Sequence, residues 1–272
     1  TPELSFSVRY LGCARGIVIT ASHNPKEYNG YKVYGEDGGQ IPPQTADRII
    51  KYIDDTDIFD DVRLCDEPKI KIIGEEVDSA YIKSVKEQSL GTHIPDDFMV
   101  VYTPLHGSGN VPVRRILAET GVKNVFVVPE QEQPDGDFPT VQSPNPENSE
   151  AFDIAIGYAA QQNADLIFGT DPDGDRIGVV VKTADGRYEV LNGNQTGCIL
   201  LEYILRKQKG NGTLPQNGAV VKTIVTSDLV RRIADNYGVR TLDVLTGFKF
   251  IGEKIKEFEQ SGEHSFVFGL EE

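Results

Sequence analysis

The chain has 272 residues, with 42 acidic against 27 basic side chains and a formal net charge of −15. That field repels phosphate backbones and argues against general nucleic-acid binding, and no apolar run is long enough to cross a bilayer. Any anionic ligand must meet Lys, Arg, a metal or backbone N–H groups that reverse the field locally.

Leu4 to Tyr10 is mildly apolar and fits helix or strand. Gly16 to Thr20 is a short β-branched run that ends in Ala21-Ser22-His23-Asn24-Pro25, as a buried strand does when it leaves a sheet. Open α/β sheets bind ligands at that edge. Tyr31 to Tyr34 alternates as a strand, Glu36 to Gly39 is a turn, and Thr45 to Ile53 repeats at helical spacing behind Pro42 and Pro43. Asp54 to Asp61 is an acidic surface segment. Lys69 to Ile73 alternates as a strand, Val77 to Val85 is an amphipathic helix, and a first domain, residues 1–90, ends near Gly91.

Phe98 to Tyr102 is a strand that runs into Thr103-Pro104-Leu105-His106-Gly107-Ser108-Gly109. A helix follows from Val111 to Glu119, with Gly121 as its stop. His106 fits a structural turn better than a phosphate contact. Arg114, Arg115, His93 and His264 read as surface residues. Val125 to Val128 is the next strand. Residues 131–148 form a connection rich in Pro, Asp and Asn; a loop of that length is functional or bridges domains. Glu150 to Gln162 is helical. Asp165 to Phe168 is a strand feeding Gly169-Thr170-Asp171-Pro172-Asp173-Gly174-Asp175-Arg176, Ile177 to Val181 returns, and Asp185-Gly186 is a hairpin turn.

The second domain, 91–190, ends near Leu191. In the third, 191–272, Gln195 to Lys207 is a helix, Ala219 to Val225 a strand, and Ser227-Asp228 caps the helix Leu229 to Tyr237. The strand Thr241 to Val244 leads to Thr246-Gly247-Phe248-Lys249-Phe250-Ile251, and a helix, Glu253 to Phe258, precedes the strand Phe266 to Phe268. Strands and helices alternate throughout, which argues for consecutive α/β domains. Ser22, the Asp171 cluster, Lys249 and Glu271 all lie where a strand gives way to an unusual loop, so domains facing one another would bring them to one cleft. Cys13, Cys65 and Cys198 are odd in number and widely spaced, which suits buried thiols in a reducing cytosol. No secretory signal opens the chain. It begins at Thr1 and closes just after the apolar run Phe266 to Phe268, so it reads as a piece of a longer protein.

Two stretches carry chemistry. Ser22, with His23 beside it and Lys32 shortly after, has the make-up of a phosphate carrier, although an ordinary polar turn has it too. Asp171, Asp173 and Asp175 alternate in a Pro- and Gly-containing loop that can fold their carboxylates inward. Two unit charges ~4 Å apart repel by roughly 4 kcal/mol at an effective dielectric of about 20, so three gathered carboxylates need a cation. Oxygen-only ligands select Mg²⁺, Mn²⁺ or Ca²⁺. An EF-hand fails, because Arg176 stands where its Gly belongs and Lys182 where its closing Glu belongs. A haloacid-dehalogenase-type nucleophile loop is a weaker rival, because Arg176 replaces its hydroxyl residue. A solvated acidic turn is the plain alternative. Mg²⁺ prefers a few carboxylates plus a phosphate oxygen, which a phosphate on Ser22 would supply.

Thr20-Ala21-Ser22-His23-Asn24-Pro25, Asp171-Pro172-Asp173-Gly174-Asp175-Arg176 and Gly269-Leu270-Glu271-Glu272 resemble, in that order, the phosphoserine, metal and sugar-binding loops of the α-D-phosphohexomutases. The stretch from Tyr28 to Gln40 and Ser143-Pro144-Asn145-Pro146-Glu147 look most like the bacterial phosphoglucomutase branch, which includes phosphomannomutase- and phosphopentomutase-like members. The resemblance implies α/β/α domains with mixed sheets, the first and third of them incomplete. It also implies interconversion of glucose 1-phosphate and glucose 6-phosphate through a bisphosphorylated sugar. Ser22 would be the phosphoserine, holding Mg²⁺ together with Asp171, Asp173 and Asp175. Lys32 aligns with the general base and His23 with a phosphate-loop contact. Arg176 lies where it can touch the phosphoserine. Thr246, Gly247 and Lys249 fall in the loop that reads the sugar's orientation, and Glu271 aligns with the acceptor for sugar hydroxyls. The family has four domains, and the fourth grips the non-reacting phosphate. With that grip absent the expectation for these 272 residues alone is an inactive piece. The alternatives are a mannose or pentose phosphate substrate, or a module that binds metal or sugar phosphate without turnover. The distance from the Ser22 hydroxyl to the aspartates decides whether the loops form one site.

Overall fold

The computed structural model describes residues 1–62, 69–91 and 93–272; Cys65 lies outside the described residues. The first apolar stretch resolves as a helix, α1 (Pro2–Tyr10). Pro2 pre-sets the backbone angle of the first turn and Glu3 complements the positive helix end. Strands β1 (Gly16–Ile19) and β2 (Tyr31–Tyr34) pair antiparallel, with Ile19 opposite Tyr31. The buried strand expected here is instead one arm of a half-exposed ribbon. Ile17 and Ile19 are 58% and 71% exposed, since no second layer among the described residues covers that face. Two helices follow, α2 (Pro43–Asp54) and α3 (Glu75–Lys86). Lys69 to Ile73, expected as a strand, forms none. Ile70 and Ile72 are 79% and 93% exposed, and alternation makes a strand only when one face finds a partner.

The central unit is built from β3 (Met99–Thr103), α4 (Asn110–Glu119), β4 (Asn124–Val127), the short α5 (Pro129–Glu132), a 3₁₀ turn at Ser149–Phe152, α6 (Asp153–Gln162), β5 (Leu166–Thr170), β6 (Ile177–Lys182) and β7 (Tyr188–Leu191). Its sheet has the order β4-β3-β5-β6-β7. Strand β3 runs parallel to β4 and β5, and β5, β6 and β7 are antiparallel in succession. Both faces of β3 are covered, which its unbroken apolar run foreshadows. Thr103 lies opposite Gly169, so the loops leaving β3 and β5 emerge side by side from one edge. That edge is where parallel strands present ligand sites.

A two-strand glycine groove organises the core of this unit. Gly169 and Gly178 face each other across β5 and β6, and a Cβ on either would lie 2.7 Å from the ring of Phe152. Phe152 is fully buried and packs with Val101, Ile167 and Val180. Phe152→Ala is therefore expected to cost about 3–5 kcal/mol, because glycines on both sides offer no side chain to fill the void. A lowered denaturant midpoint for this unit checks it.

The last unit contains α7 (Gly193–Asn211), β8 (Gly218–Thr223), α8 (Leu229–Asn236), β9 (Arg240–Val244), α9 (Phe248–Ser261) and β10 (Ser265–Leu270). Its parallel strands take the order β10-β8-β9. Leu201, Leu205, Val230 and Ala234 of α7 and α8 cover one face, and Ile251 and Phe258 of α9 the other. A reciprocal Asn192–Gln195 capping box starts α7, and Ser227 Oγ accepts from the Leu229 N–H at 3.2 Å to start α8. Helix α9 begins at Phe248 rather than Glu253, so Lys249 stands on its first turn and not in a loop.

Candidate active site

Ser22 sits at the tip of the β1–β2 ribbon with φ 56°, a left-handed conformation that costs a serine about 1–3 kcal/mol unless the surroundings enforce it. Here its N–H donates to Thr20 Oγ1 at 2.8 Å, which helps hold the turn. The hydroxyl lies 3.1 Å from His23 Nδ1 and donates to Asp171 Oδ2 at 3.2 Å, across 149 residues of chain. Strand β2 carries Lys32 to the same place. Its ammonium donates to Asp173 Oδ2 at 2.7 Å and to Asp175 Oδ2 at 2.8 Å.

The three aspartates lie on the tight link between β5 and β6, where Thr170 still pairs with Ile177. Asp171 Oδ1 accepts from the N–H groups of Asp175 at 3.1 Å and Arg176 at 3.0 Å, so its side chain folds the loop back on itself. One carboxylate oxygen from each of Asp171, Asp173 and Asp175 lies within 4.8 Å of the others. Asp171 and Asp173 are buried while Asp175 is exposed. Asp173 Oδ1 is buried without a hydrogen-bond partner among the described residues. An unsatisfied buried carboxylate oxygen beside two more carboxylates fits a metal ion, and oxygen donors alone suit a hard one.

Burial, together with the hydrogen bond and charge of Asp173, pushes the Asp171 carboxyl up to about 7. Burial also acts to raise Asp173, but hydrogen bonds from Asp171, Lys32 and Thr1 outweigh it and hold that carboxyl well below the usual range. As pH falls toward 7 the first proton of the pair therefore goes to Asp171 while Asp173 stays ionised. Burial works against the charge on Lys32, and its bonds to Asp173 and Asp175 outweigh that and raise it. Burial and then the Arg176 charge lower His23, favouring a neutral imidazole. Arg176 itself donates to Glu147 Oε1 at 2.8 Å and is not bonded to Ser22.

A second group forms at the carboxyl edge of the β10-β8-β9 sheet. Glu271 Oε2 accepts from the Gly247 N–H at 2.6 Å, and Asn194 donates to Glu272. Thr246 is exposed nearby in sequence, and the Lys249 ammonium lies 5.2 Å above the ring of Phe250. The structure thus brings Ser22, His23, Lys32 and the three aspartates into one cluster. Glu271 and Gly247 belong to another, held by its own bonds. Two participants escape a reading of the sequence. Glu147 was visible only as part of a motif, with nothing to show that it holds Arg176. Lys222 hides inside an apolar strand, 2% exposed, with its ammonium 2.9 Å from the Thr226 carbonyl and 3.0 Å from Asp243. A lysine within an otherwise continuous apolar run is the signal that could have found it.

Comparison with known proteins places these loops in a wider context. Residues 1–58, 79–186 and 192–272 match the family models described as phosphoglucomutase/phosphomannomutase, alpha/beta/alpha domains I, II and III. The chain is 41% identical over 277 residues to a phosphoglucomutase of Staphylococcus epidermidis and 37% to that of Staphylococcus aureus. Each alignment covers all of this chain but 50% and 49% of the other, so the chain spans about half the length of the curated relatives it matches. Among solved structures, a phosphoglucomutase/phosphomannomutase family protein from Burkholderia thailandensis superposes with a TM-score of 0.67 at 22% identity, over 89% of this chain and 47% of that one. An Aspergillus fumigatus N-acetylphosphoglucosamine mutase in complex with GlcNAc-6P and magnesium gives 0.55 at 14%, over 94% and 60%.

Proposed function

Because the chain belongs to the phosphoglucomutase/phosphomannomutase family, we propose that it carries the phosphoryl-transfer centre of a cytoplasmic mutase interconverting glucose 1-phosphate and glucose 6-phosphate. The carrying observation is the 3.2 Å contact between the Ser22 hydroxyl and Asp171. A hydroxyl and a nest of acids from distant segments meet where a phosphoryl group needs both an acceptor and charge neutralisation. Ser22 Oγ carries the phosphoryl group between sugar oxygens. Lys32 is the acid–base group for the sugar hydroxyl; Asp173 and Asp175 keep it an ammonium in the resting site, so it gives up a proton before it takes the sugar's, and neutral His23 orients the Ser22 oxygen. Asp171, Asp173 and Asp175 would hold Mg²⁺ together with an oxygen of phosphorylated Ser22. When bound, the ion offsets the charge of about −1.5 to −2 that a phosphoserine brings. Magnesium suits the all-oxygen donor set, and the Aspergillus mutase is described in complex with it. Glu271 accepts from sugar hydroxyls, while Thr246, Gly247 and Lys249 line the sugar's approach. Arg176, held by Glu147 here, would contact the phosphoserine.

For the 272 residues on their own we expect metal binding without turnover, since they span half of their relatives. The test is an assay of glucose 6-phosphate formation from glucose 1-phosphate with a trace of the 1,6-bisphosphate and Mg²⁺. The chain extended to the length of its relatives turns over, and the chain alone does not. An extended protein that is inert on glucose 1-phosphate but active on mannose 1-phosphate would reassign the sugar. Inertness on every hexose and pentose phosphate would leave a binding module.

A further inference from the structure

The Ser22 loop and the metal loop meet directly through Ser22–Asp171, and Lys32 of β2 adds bonds to Asp173 and Asp175; the backbone behind the two loops is tied as well. They come from different sheets, and one segment touches both. Residues 133–148 run from the end of α5 to the 3₁₀ turn at Ser149–Phe152. Near their middle the Ser143 hydroxyl donates to the His23 carbonyl at 2.8 Å, one residue from Ser22. Asp137 pairs with Lys26 at 3.1 Å on the far side of the same turn. Toward the end, Glu147 holds Arg176 at 2.8 Å, directly after the metal loop. The Pro146 carbonyl lies against β6 so closely that a Cβ at Gly178 would come within 2.3 Å of it.

The root of this segment is locked by a buried polar network. His106 is 5% exposed and Gln131 fully buried. The Gln133 carbonyl can only accept, so His106 Nδ1–H donates to it at 3.3 Å, leaving Nε2 to accept from the Thr140 hydroxyl at 2.8 Å. Gln131 donates to Thr140 Oγ1 at 3.1 Å and accepts from Thr103 Oγ1 at 2.7 Å. A neutral imidazole satisfies every one of these groups. The same turn abuts the metal loop: Ser108 donates through its N–H at 2.8 Å and its hydroxyl at 2.9 Å to the carbonyl of Pro172, between Asp171 and Asp173.

We infer that residues 133–148 form a strap that sets the distance between Ser22 and the aspartates, with Ser143 as the positioning residue for the nucleophile loop and the His106–Thr140 bond as its anchor. Ser143 touches no reacting atom. It fixes the His23 carbonyl, and with it the strained backbone of Ser22, against the unit that carries the metal loop. The inference rests on Ser22 being the phosphoryl acceptor.

The test follows transfer to Ser22 in the protein at the length of its relatives, mixed with Mg²⁺ and glucose 1,6-bisphosphate. In that step the bond from phosphorus to a sugar oxygen breaks and the bond to Ser22 Oγ forms, while the serine's proton ends on the released sugar hydroxyl. Rapid quenching and intact mass give its rate. Ser143→Ala is expected to slow it roughly 10- to 100-fold, the cost of a misplacement on the order of 1 Å, with the thermal midpoint nearly unchanged. Ser143→Thr, which keeps the hydroxyl, returns the rate to near the wild type. Thr140→Val, which loosens the strap without touching either loop, slows transfer in the same sense. Wild-type rates in both Ser143→Ala and Thr140→Val overturn the strap while leaving the phosphoserine reading intact. A wild-type protein that takes up no phosphoryl group at Ser22 overturns that reading and the strap with it.

Discussion

Replacing Ser22 by alanine in the protein at the length of its relatives is expected to lower mutase turnover by about a thousandfold or more, to the background of the assay. The reason is chemical: it is Ser22 Oγ that reaches Asp171, while the nearby Thr20 hydroxyl is engaged by the Ser22 N–H. His23 Nδ1 lies 3.1 Å from the Ser22 hydroxyl but is placed to orient it. Alanine keeps the left-handed backbone at modest cost, so circular dichroism and the thermal midpoint should change little. Mg²⁺ binding to the unphosphorylated protein should persist, because the three carboxylates remain. Substantial turnover by a correctly folded Ser22→Ala protein would remove the phosphoserine from the mechanism.

The second large effect concerns the metal. Asp173→Asn is expected to weaken Mg²⁺ binding more than ~100-fold in calorimetric titration of the 272-residue chain, since even outer partners of metal ligands cost about 10- to 100-fold when lost. The substitution removes one charge from a buried nest and turns an unpartnered oxygen, Asp173 Oδ1, into part of a neutral amide. The same site carries a pH signature. Asp171 is pushed to about 7 in the folded chain from an ordinary value of 3.8. Its protonated form is therefore favoured by folding, and the stability it contributes is complete below about 4 and lost as pH rises through about 7. In divalent-free buffer that part of the stability declines between about pH 4 and pH 7. The rise in thermal midpoint on adding Mg²⁺ should be larger at pH 8 than at pH 6, where a proton must first leave Asp171. Affinity for Mg²⁺ unchanged by Asp173→Asn would show that the nest is not a metal site.

Much of this arrangement is legible in the sequence where local chemistry speaks for itself. The alternating aspartates with Pro and Gly identify a loop that can gather charge, and the apolar run of β3 announces a strand covered on both faces. The strand–loop–strand rhythm gives the α/β class. What escapes is whatever depends on partners. Ile70 and Ile72 alternate with lysines as a strand would, yet no edge among the described residues receives them. Ile17 and Ile19 look buried by composition and are not, because nothing among the described residues covers their face of the ribbon. Phe248 and Lys249 read as loop because Gly247 breaks the pattern before them, whereas the glycine merely starts α9. The closeness of Ser22 to Asp171 could be expected only through family resemblance. Nothing local encodes a contact across 149 residues.

That long contact has a consequence for the molecule's history. A pocket whose hydroxyl and acids come from two different sheets is a property of the seam between them, so neither sheet preserves it alone. Changes along the seam, far from any reacting atom, are then under the same selection as the serine and the acids, and a drifting seam would silence the chemistry while both sheets stayed well folded.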